Sequence, residues 1–377
     1  MKQPIAVLIG GPSAEHDVSL VSGRAIAAAL AERGHPVEGW LIDLDGAWWR
    51  LPSAAMAREL PAVAFDDPRR LGADGPWGAA AALAQLAAQD PRPVCFIALH
   101  GPFGEDGVVQ ALCESEGLVY TGSGPAASAL GMDKALFKRL VGGQGIPVVT
   151  WREATAGDLA ATPDDILDSL AAFARTLADP RLIVKPARLG SSIGMTVVHR
   201  PDDRGELERA LREAFRFDDR ALVEQYLDHA RELEVSVVGN GAHDVEVYGP
   251  GEIFPGRDFY DYVAKYADGV STTTSTADVE DRLRRGTRDL ARAAYLAIGA
   301  EGFARVDFLV GRTGPEAGRL YLNEINTIPG FTPISLFPMM CAGGGYDFGA
   351  ICDRIVNLAL DRAARRPASR LTRADLP

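Results

Sequence analysis

The opening of the chain does most to limit the fold. An apolar run at residues 4–9 ends at Gly10-Gly11, the pattern of a buried strand entering a glycine turn. Val18, Val21, Ala25, Ala29 and Leu30 then recur near helical spacing, and Gly34 is placed to cap that helix. Residues 37–42 read as a second strand. A strand–helix–strand opening predicts an α/β domain on a parallel sheet. Between residues 45 and 92 the signal weakens, with an Ala-rich helix expected at 79–88 and connection elsewhere. A strand at 94–99 leads into the loop His100-Gly101-Pro102-Phe103-Gly104, and the glycines and prolines at 121–125 mark a first domain boundary.

The 377 residues predict two or three domains, at roughly 100–200 residues each. A formal net charge of −12, without a long basic run, argues against nucleic acid and anionic membranes, which need clustered cations. It leaves phosphate ligands open, because a few placed cations suffice. The four cysteines form no CxxC pair, so disulfides and a cysteine metal site are not expected, and a reducing cytosol fits. The N-terminal run reads as a first strand and not as a signal peptide. No stretch approaches the ~20 apolar residues of a membrane span, and a cytoplasmic protein is expected.

Further along, residues 134–141 read as a helix, and 182–185 as a strand with an antiparallel partner at 196–199. Strands are expected at 222–226, 233–238 and 245–248, and a long helix at 278–298. Residues 303–310 and 319–325 flank a Gly/Pro turn and read as a hairpin. The basic tail after Asp361 is expected to be frayed.

That hairpin carries the strongest chemical signal. Glu324 and Asn326 share a strand face by alternation. The turn centre near Pro315 puts Asp307 opposite Glu324, where Cβ atoms of paired residues lie ~5 Å apart. Two carboxylates that close favour a cation between them, and such oxygen ligands suit Mg²⁺. Arg305 shares the face and can meet a phosphate. On its own the pattern also fits a hairpin with solvent-facing acids, although the neighbouring Phe303, Val306, Phe308, Leu320 and Leu322 make acids there less casual.

Three other segments are suggestive. The glycine-rich run 184–194, with Lys185 at its start, can lay backbone N–H groups over phosphates, yet it is not a Walker A loop and also reads as a plain turn. Glu15, after Gly10-Gly11-Pro12-Ser13, sits where open α/β sheets bind ligands and can hold an ammonium; it also reads as a helix-dipole partner. Residues 259–266, with the polar run 271–275, read as a lid over a reactive phosphate or as an ordinary loop. His100 reads as substrate lining or as a solvated loop side chain.

Taken together, the runs at 10–23, 100–107, 132–134, 185–195, 231–240, 259–266, 304–309 and 323–333 resemble the D-alanine–D-alanine ligases of the ATP-grasp superfamily over nearly the whole chain. The resemblance implies an α/β, three-domain ATP-grasp architecture: an N-terminal Rossmann-like domain (1–122), a central ATP-grasp subdomain (123–223) and a C-terminal ATP-grasp domain with lid and metal site (224–377). It implies ATP-dependent joining of two D-alanines through an acyl phosphate, for peptidoglycan precursors. It further implies ATP and two Mg²⁺ (with Mn²⁺ as a substitute) and a homodimer.

By position, the resemblance makes Lys134 and Lys185 phosphate-binding lysines and puts Ser192 in the phosphate loop. It makes Glu224, Gln225, Tyr226 and Leu227 the adenine-reading hinge, Glu232 the ribose acid and Lys265 the lid lysine. Asp307, Glu324 and Asn326 match metal ligands. Arg305 and the Gly330 N–H match the groups that stabilise an oxyanion. Glu15 faces the first substrate's ammonium, with Ser191 and Tyr266 as its partners, and His100 lines the same subsite. Ser335 and Leu336 match the second substrate's pocket. Relatives that make D-alanyl-D-lactate lack the Lys-Tyr pair at 265–266. Val263 and Leu189 depart from the common pattern, which touches details of lid and loop. Two other readings remain: a dipeptide ligase with a different acceptor, such as D-serine, D-lactate or a natural-product amino acid, and a non-catalytic ATP-binding regulator.

Overall fold

A computed structural model describes residues 2–57, 60–254 and 272–365. The N-terminal part comprises β1 (Ile5–Gly10), α1 (His16–Glu32), β2 (Val37–Ile42), β3 (Trp48–Leu51), α2 (Ser53–Ala57), β4 (Asp74–Trp77), α3 (Ala79–Ala87), β5 (Val94–Ile97), α4 (Val108–Ser115) and β6 (Val119–Tyr120). Its sheet runs β4-β3-β2-β1-β5-β6. The four adjacent strands β2, β1, β5 and β6 pair in parallel, as the opening predicts. The weakly patterned stretch after residue 45 adds two antiparallel strands at the edge. β1 is buried throughout, so its loop opens at the carboxyl edge of the sheet's centre, where such sheets bind ligands. Gly10 makes that turn possible: its φ is +84°, and a Cβ there would lie 2.3 Å from the Ile42 carbonyl oxygen.

Helices α5 (Pro125–Met132) and α6 (Lys134–Gly143) follow, and Asp133 caps α6 by accepting from the N–H groups of Ala135 and Leu136. Next come β7 (Trp151–Thr155), α7 (Ala156–Ala161), α8 (Pro163–Arg175), β8 (Leu182–Pro186), β9 (Thr196–Val198), α9 (Arg204–Ala214) and β10 (Arg220–Gln225). These strands form an antiparallel sheet, β7-β10-β8-β9, covered by the apolar faces of α8 and α9. The expected boundary at 223/224 falls inside β10. The buried faces of α5 and α6 (Ala127, Phe137, Val141) belong to the core of the third sheet, so the expected central segment is shared between two cores.

The third sheet, β13-β12-β11-β14-β15, contains β11 (Arg231–Gly239), β12 (Glu246–Phe254), β13 (Thr272–Thr274), β14 (Gly302–Val310) and β15 (Leu320–Asn326), with α10 (Asp281–Ala297) packed on it. The chain closes with α11 (Leu336–Ala342) and α12 (Phe348–Arg365). For residues 362–365, α12 corrects the expectation of a frayed tail after Asp361; residues 366–377 lie outside the described residues. The helix continues to Arg365, and Arg362 is buried, donating to the carbonyls of Tyr120 (2.6 Å) and Gly122. Ile351, Ile355 and Leu358 enter the core of the first sheet, while the charged tail gives no sequence sign of this docking. Phe96 of β5 meets Phe331, which packs on Phe303 and Phe337, so the first and third sheets share one apolar seam. This seam holds two walls of the cleft described next in fixed relation.

Candidate active site

A cleft of about 1190 Å³ opens between the three sheets. Every described residue given a site role above lines it: Glu15, His100, Lys134, Lys185, Ser191, Ser192, Glu224, Gln225, Tyr226, Leu227, Glu232, Arg305, Asp307, Glu324, Asn326, Gly330, Ser335 and Leu336. Lys265, Tyr266 and the remainder of the expected lid at 259–266 lie outside the described residues.

The hairpin register is the expected one. Asp307 pairs with Glu324 and Arg305 with Asn326. On the other side, Asp307 pairs with Glu234 of β11, so three acids form a row across three strands. Glu234 was missed in the sequence, where it sits in an alternating strand like any other. The row carries its own countercharges. Arg305 donates twice to Asp307 (2.7 Å each) and its Nε lies 3.1 Å from Glu234. Asn326 donates to Asp307 at 2.9 Å, and Lys134 lies 3.3 Å from Glu324. Coulomb attraction to these acids outweighs the burial that disfavours the Arg305 charge and keeps it a cation. No group of three or more His, Cys, Asp or Glu side chains fit to hold a metal occurs among the described residues. The Asp307, Glu324 and Asn326 set is two carboxylates and an amide on one face of the cleft, hard oxygen donors that fit Mg²⁺ with phosphate oxygens completing the shell.

Above this face lie the lysines. Lys134 donates to the Leu189 carbonyl at 2.8 Å, which ties α6 to the glycine loop. Lys185 pairs with Glu224 at 2.8 Å and donates to Asn323 at 3.3 Å. The β14–β15 register slips between Asp307 and Phe308, leaving Asn323 as the extra residue. Glu224 is buried and also meets Lys138 at 3.0 Å. Burial pushes its carboxyl up, but the two ammoniums together hold it below the usual value.

At the far end, Ser191 and Ser192 both adopt positive φ (54° and 56°), a conformation that side chains pay strain to keep. The Ser191 hydroxyl donates to Glu15, which joins the glycine loop to the first sheet. Gly101 and Gly190 let two loops close on that carboxylate: a Cβ would stand 2.8 Å and 3.2 Å from Glu15 Oε2. His100 is not solvated, being only 3% exposed. Its Nδ1 contacts the Ile328 carbonyl at 3.0 Å and its Nε2 the Ser22 hydroxyl at 3.1 Å, with Glu105 3.7 Å away. Burial lowers its pKa, and Glu105, Glu15 and the Ile328 carbonyl together raise it above the ordinary value. Ser335 begins α11, with its hydroxyl accepting from the Thr332 N–H, beside Gly330 and Leu336.

Family models agree with this geometry. "D-ala D-ala ligase N-terminus" matches residues 4–123 and "D-ala D-ala ligase C-terminus" matches residues 140–357. The chain belongs to the D-alanine–D-alanine ligase family. It is 38% identical to the D-alanine–D-alanine ligase of Chlorobium phaeovibrioides, covering 96% of this chain and 98% of that one. It is also 38% identical to the Deinococcus radiodurans enzyme of the same name, covering 96% and 99%. Among solved structures, the D-alanine–D-alanine ligase of Coxiella burnetii superposes with a TM-score of 0.77 at 31% identity, covering 96% of this chain and 95% of that one. VanG D-Ala:D-Ser ligase of Enterococcus faecalis superposes with a TM-score of 0.77 at 28% identity, covering 95% and 100%. The three sheets are thus the ATP-grasp fold that this ligase family shares. No described helix is long and apolar enough to cross a membrane.

Proposed function

We propose that this chain joins two D-alanines into D-alanyl-D-alanine for peptidoglycan precursors, driven by cleavage of ATP to ADP and phosphate. One observation carries the reading: in a member of this ligase family, all the described residues matching the family's site line a single cleft.

The chemistry follows from the arrangement. A carboxylate is a poor electrophile, so the first D-alanine carboxylate oxygen attacks the ATP γ-phosphorus, ADP leaves and an acyl phosphate forms. Lys134 and Lys185 stabilise the transferring charge. Asp307, Glu324 and Asn326 would hold Mg²⁺, which supplies further positive charge to the phosphate oxygens. Glu15 holds the first substrate's ammonium, positioned by Ser191, and His100 lines that subsite. The second D-alanine's amine, with its carboxylate held near Ser335 and its methyl by Leu336, attacks the acyl carbon. Arg305 and the Gly330 N–H stabilise the oxyanion, phosphate leaves and the amine loses a proton. The hinge 224–227 and Glu232 hold the adenine and ribose; the family's lid positions, Lys265 and Tyr266, lie outside the described residues.

The test is phosphate release from Mg-ATP with D-alanine alone, then with D-serine or D-lactate added, and product identification by mass. D-alanyl-D-alanine as the main product supports the reading. Turnover only with another acceptor would overturn the substrate and keep the chemistry.

A further inference from the structure

Lys134 and Lys138 stand one turn apart on α6, yet they have opposite environments. Lys134 reaches the cleft. The Lys138 side chain is wholly buried and does not line the cleft. Its ammonium lies 3.0 Å from Glu224 Oε1, and the other carboxylate oxygen, Oε2, lies 2.8 Å from Lys185 Nζ. Lys185 in turn donates to Asn323 at 3.3 Å. A chain therefore runs from the interior of α6 to the cleft: Lys138, Glu224, Lys185, Asn323.

Removing an ammonium from water is costly, and a packed apolar side chain of equal volume serves stability at least as well. The charge of Lys138 therefore needs a reason other than packing. Charge arithmetic supplies one. A single carboxylate shared by two ammoniums leaves one positive charge in excess, and of the two ammoniums Lys185 is the one that lines the cleft. With Lys138 absent, Glu224 and Lys185 would form a closed neutral pair, and Glu224 would draw the Lys185 ammonium out of reach of an anion.

We propose that Lys138, acting through Glu224, is a positioning residue that keeps the Lys185 ammonium available to the nucleotide phosphates. The inference rests on the nucleotide-binding reading of this cleft. Burial, the largest influence, lowers the Lys138 pKa to about 8, so its charge is lost within reach of ordinary assays. The charged groups acting on it are Glu224, Lys185 and, more weakly, Glu324.

The experiment is equilibrium binding of ATP with Mg²⁺, measured by calorimetry on the wild type, K138M, E224Q and K138M/E224Q, each checked for its thermal midpoint. K138M is expected to fold and to raise the ATP Kd about tenfold, the scale of one displaced charge-assisted contact. Because Glu224 also belongs to the nucleotide hinge, the double variant is read against E224Q: K138M is expected to cost less in the E224Q background, where no carboxylate draws Lys185 away, than in the wild type. In the wild type the Kd should rise as pH passes about 8, and this rise should vanish in K138M. K138M binding ATP like the wild type, or K138M costing as much in the E224Q background as in the wild type, overturns the proposal. If K138M fails to fold, a wild-type Kd that stays flat from below to above about pH 8 overturns it alone. Wild type that binds ATP but ligates no D-alanine sinks the ligase reading and leaves this test standing; wild type that binds no ATP sinks both.

Discussion

Glu234 and Arg305 meet diagonally across β11 and β14, with Oε2 and Nε 3.1 Å apart. Glu234 is thus a second anchor for a guanidinium that Asp307 already holds. If Asp307 turns to a cation when ATP binds, Glu234 remains to aim Arg305 at the oxyanion. E234Q keeps the shape and weakens that hold. It is expected to lower kcat about tenfold, as loss of ~1.4 kcal/mol would, with the KM for ATP little changed. Steady-state kinetics decide it, and a rise in KM with kcat intact would contradict the assignment.

Asp307 and Glu324 are the carboxylates of the proposed metal face. D307N and E324Q are each expected to cut Mg-ATP turnover at least about a hundredfold, on the order of 3 kcal/mol of transition-state stabilisation. Phosphate release under saturating D-alanine reads this out. Turnover preserved in both variants would show that the acids serve only the sheet.

His100 stays protonated to a higher pH than an ordinary histidine because of Glu105 and its neighbours, despite its burial. A raised folded pKa means that the His100 charge is fully present below the ordinary histidine value and is lost as pH rises through the raised one, while Glu105, itself pushed up by burial, supplies its negative charge only once it ionises. E105Q should move that transition to lower pH. The pH dependence of kcat/KM for D-alanine, with an imidazole NMR titration alongside, measures it; an unmoved transition would detach His100 from Glu105.

Asp353 on α12 accepts from Arg33 (2.5 Å) and contacts His35 (2.8 Å), which clasps the C-terminal helix to the loop after α1. Burial pushes its carboxyl up, and these partners together hold it below the usual carboxylate value. A depressed pKa contributes stability above the unfolded value, lost as pH falls through the folded one. D353N is expected to cost about 1–3 kcal/mol in urea unfolding at neutral pH, with the gap to wild type closing in acid below the ordinary carboxylate range.

The sequence alone determined what depends on near neighbours. Alternation placed Glu324 and Asn326 on one face, and the turn position set Asp307 opposite Glu324; both are local consequences of strand geometry. The apolar run ending at Gly10-Gly11 announced a buried strand and its ligand-facing loop for the same reason. Other features depended on residues far apart in the chain. Lys134 and Lys138 look alike on one helix face, and only the approach of β10 makes one a cleft residue and the other a buried partner of Glu224. His100 read as a loop residue until the Ile328 carbonyl and Ser22 enclosed it. The last turn of α12 read as frayed tail until Arg362 met the carbonyls after β6. Glu234 became visible only through its register with Asp307. Burial and ion pairing are set by which surfaces meet, and periodicity within one segment carries no record of the segment it will pack against.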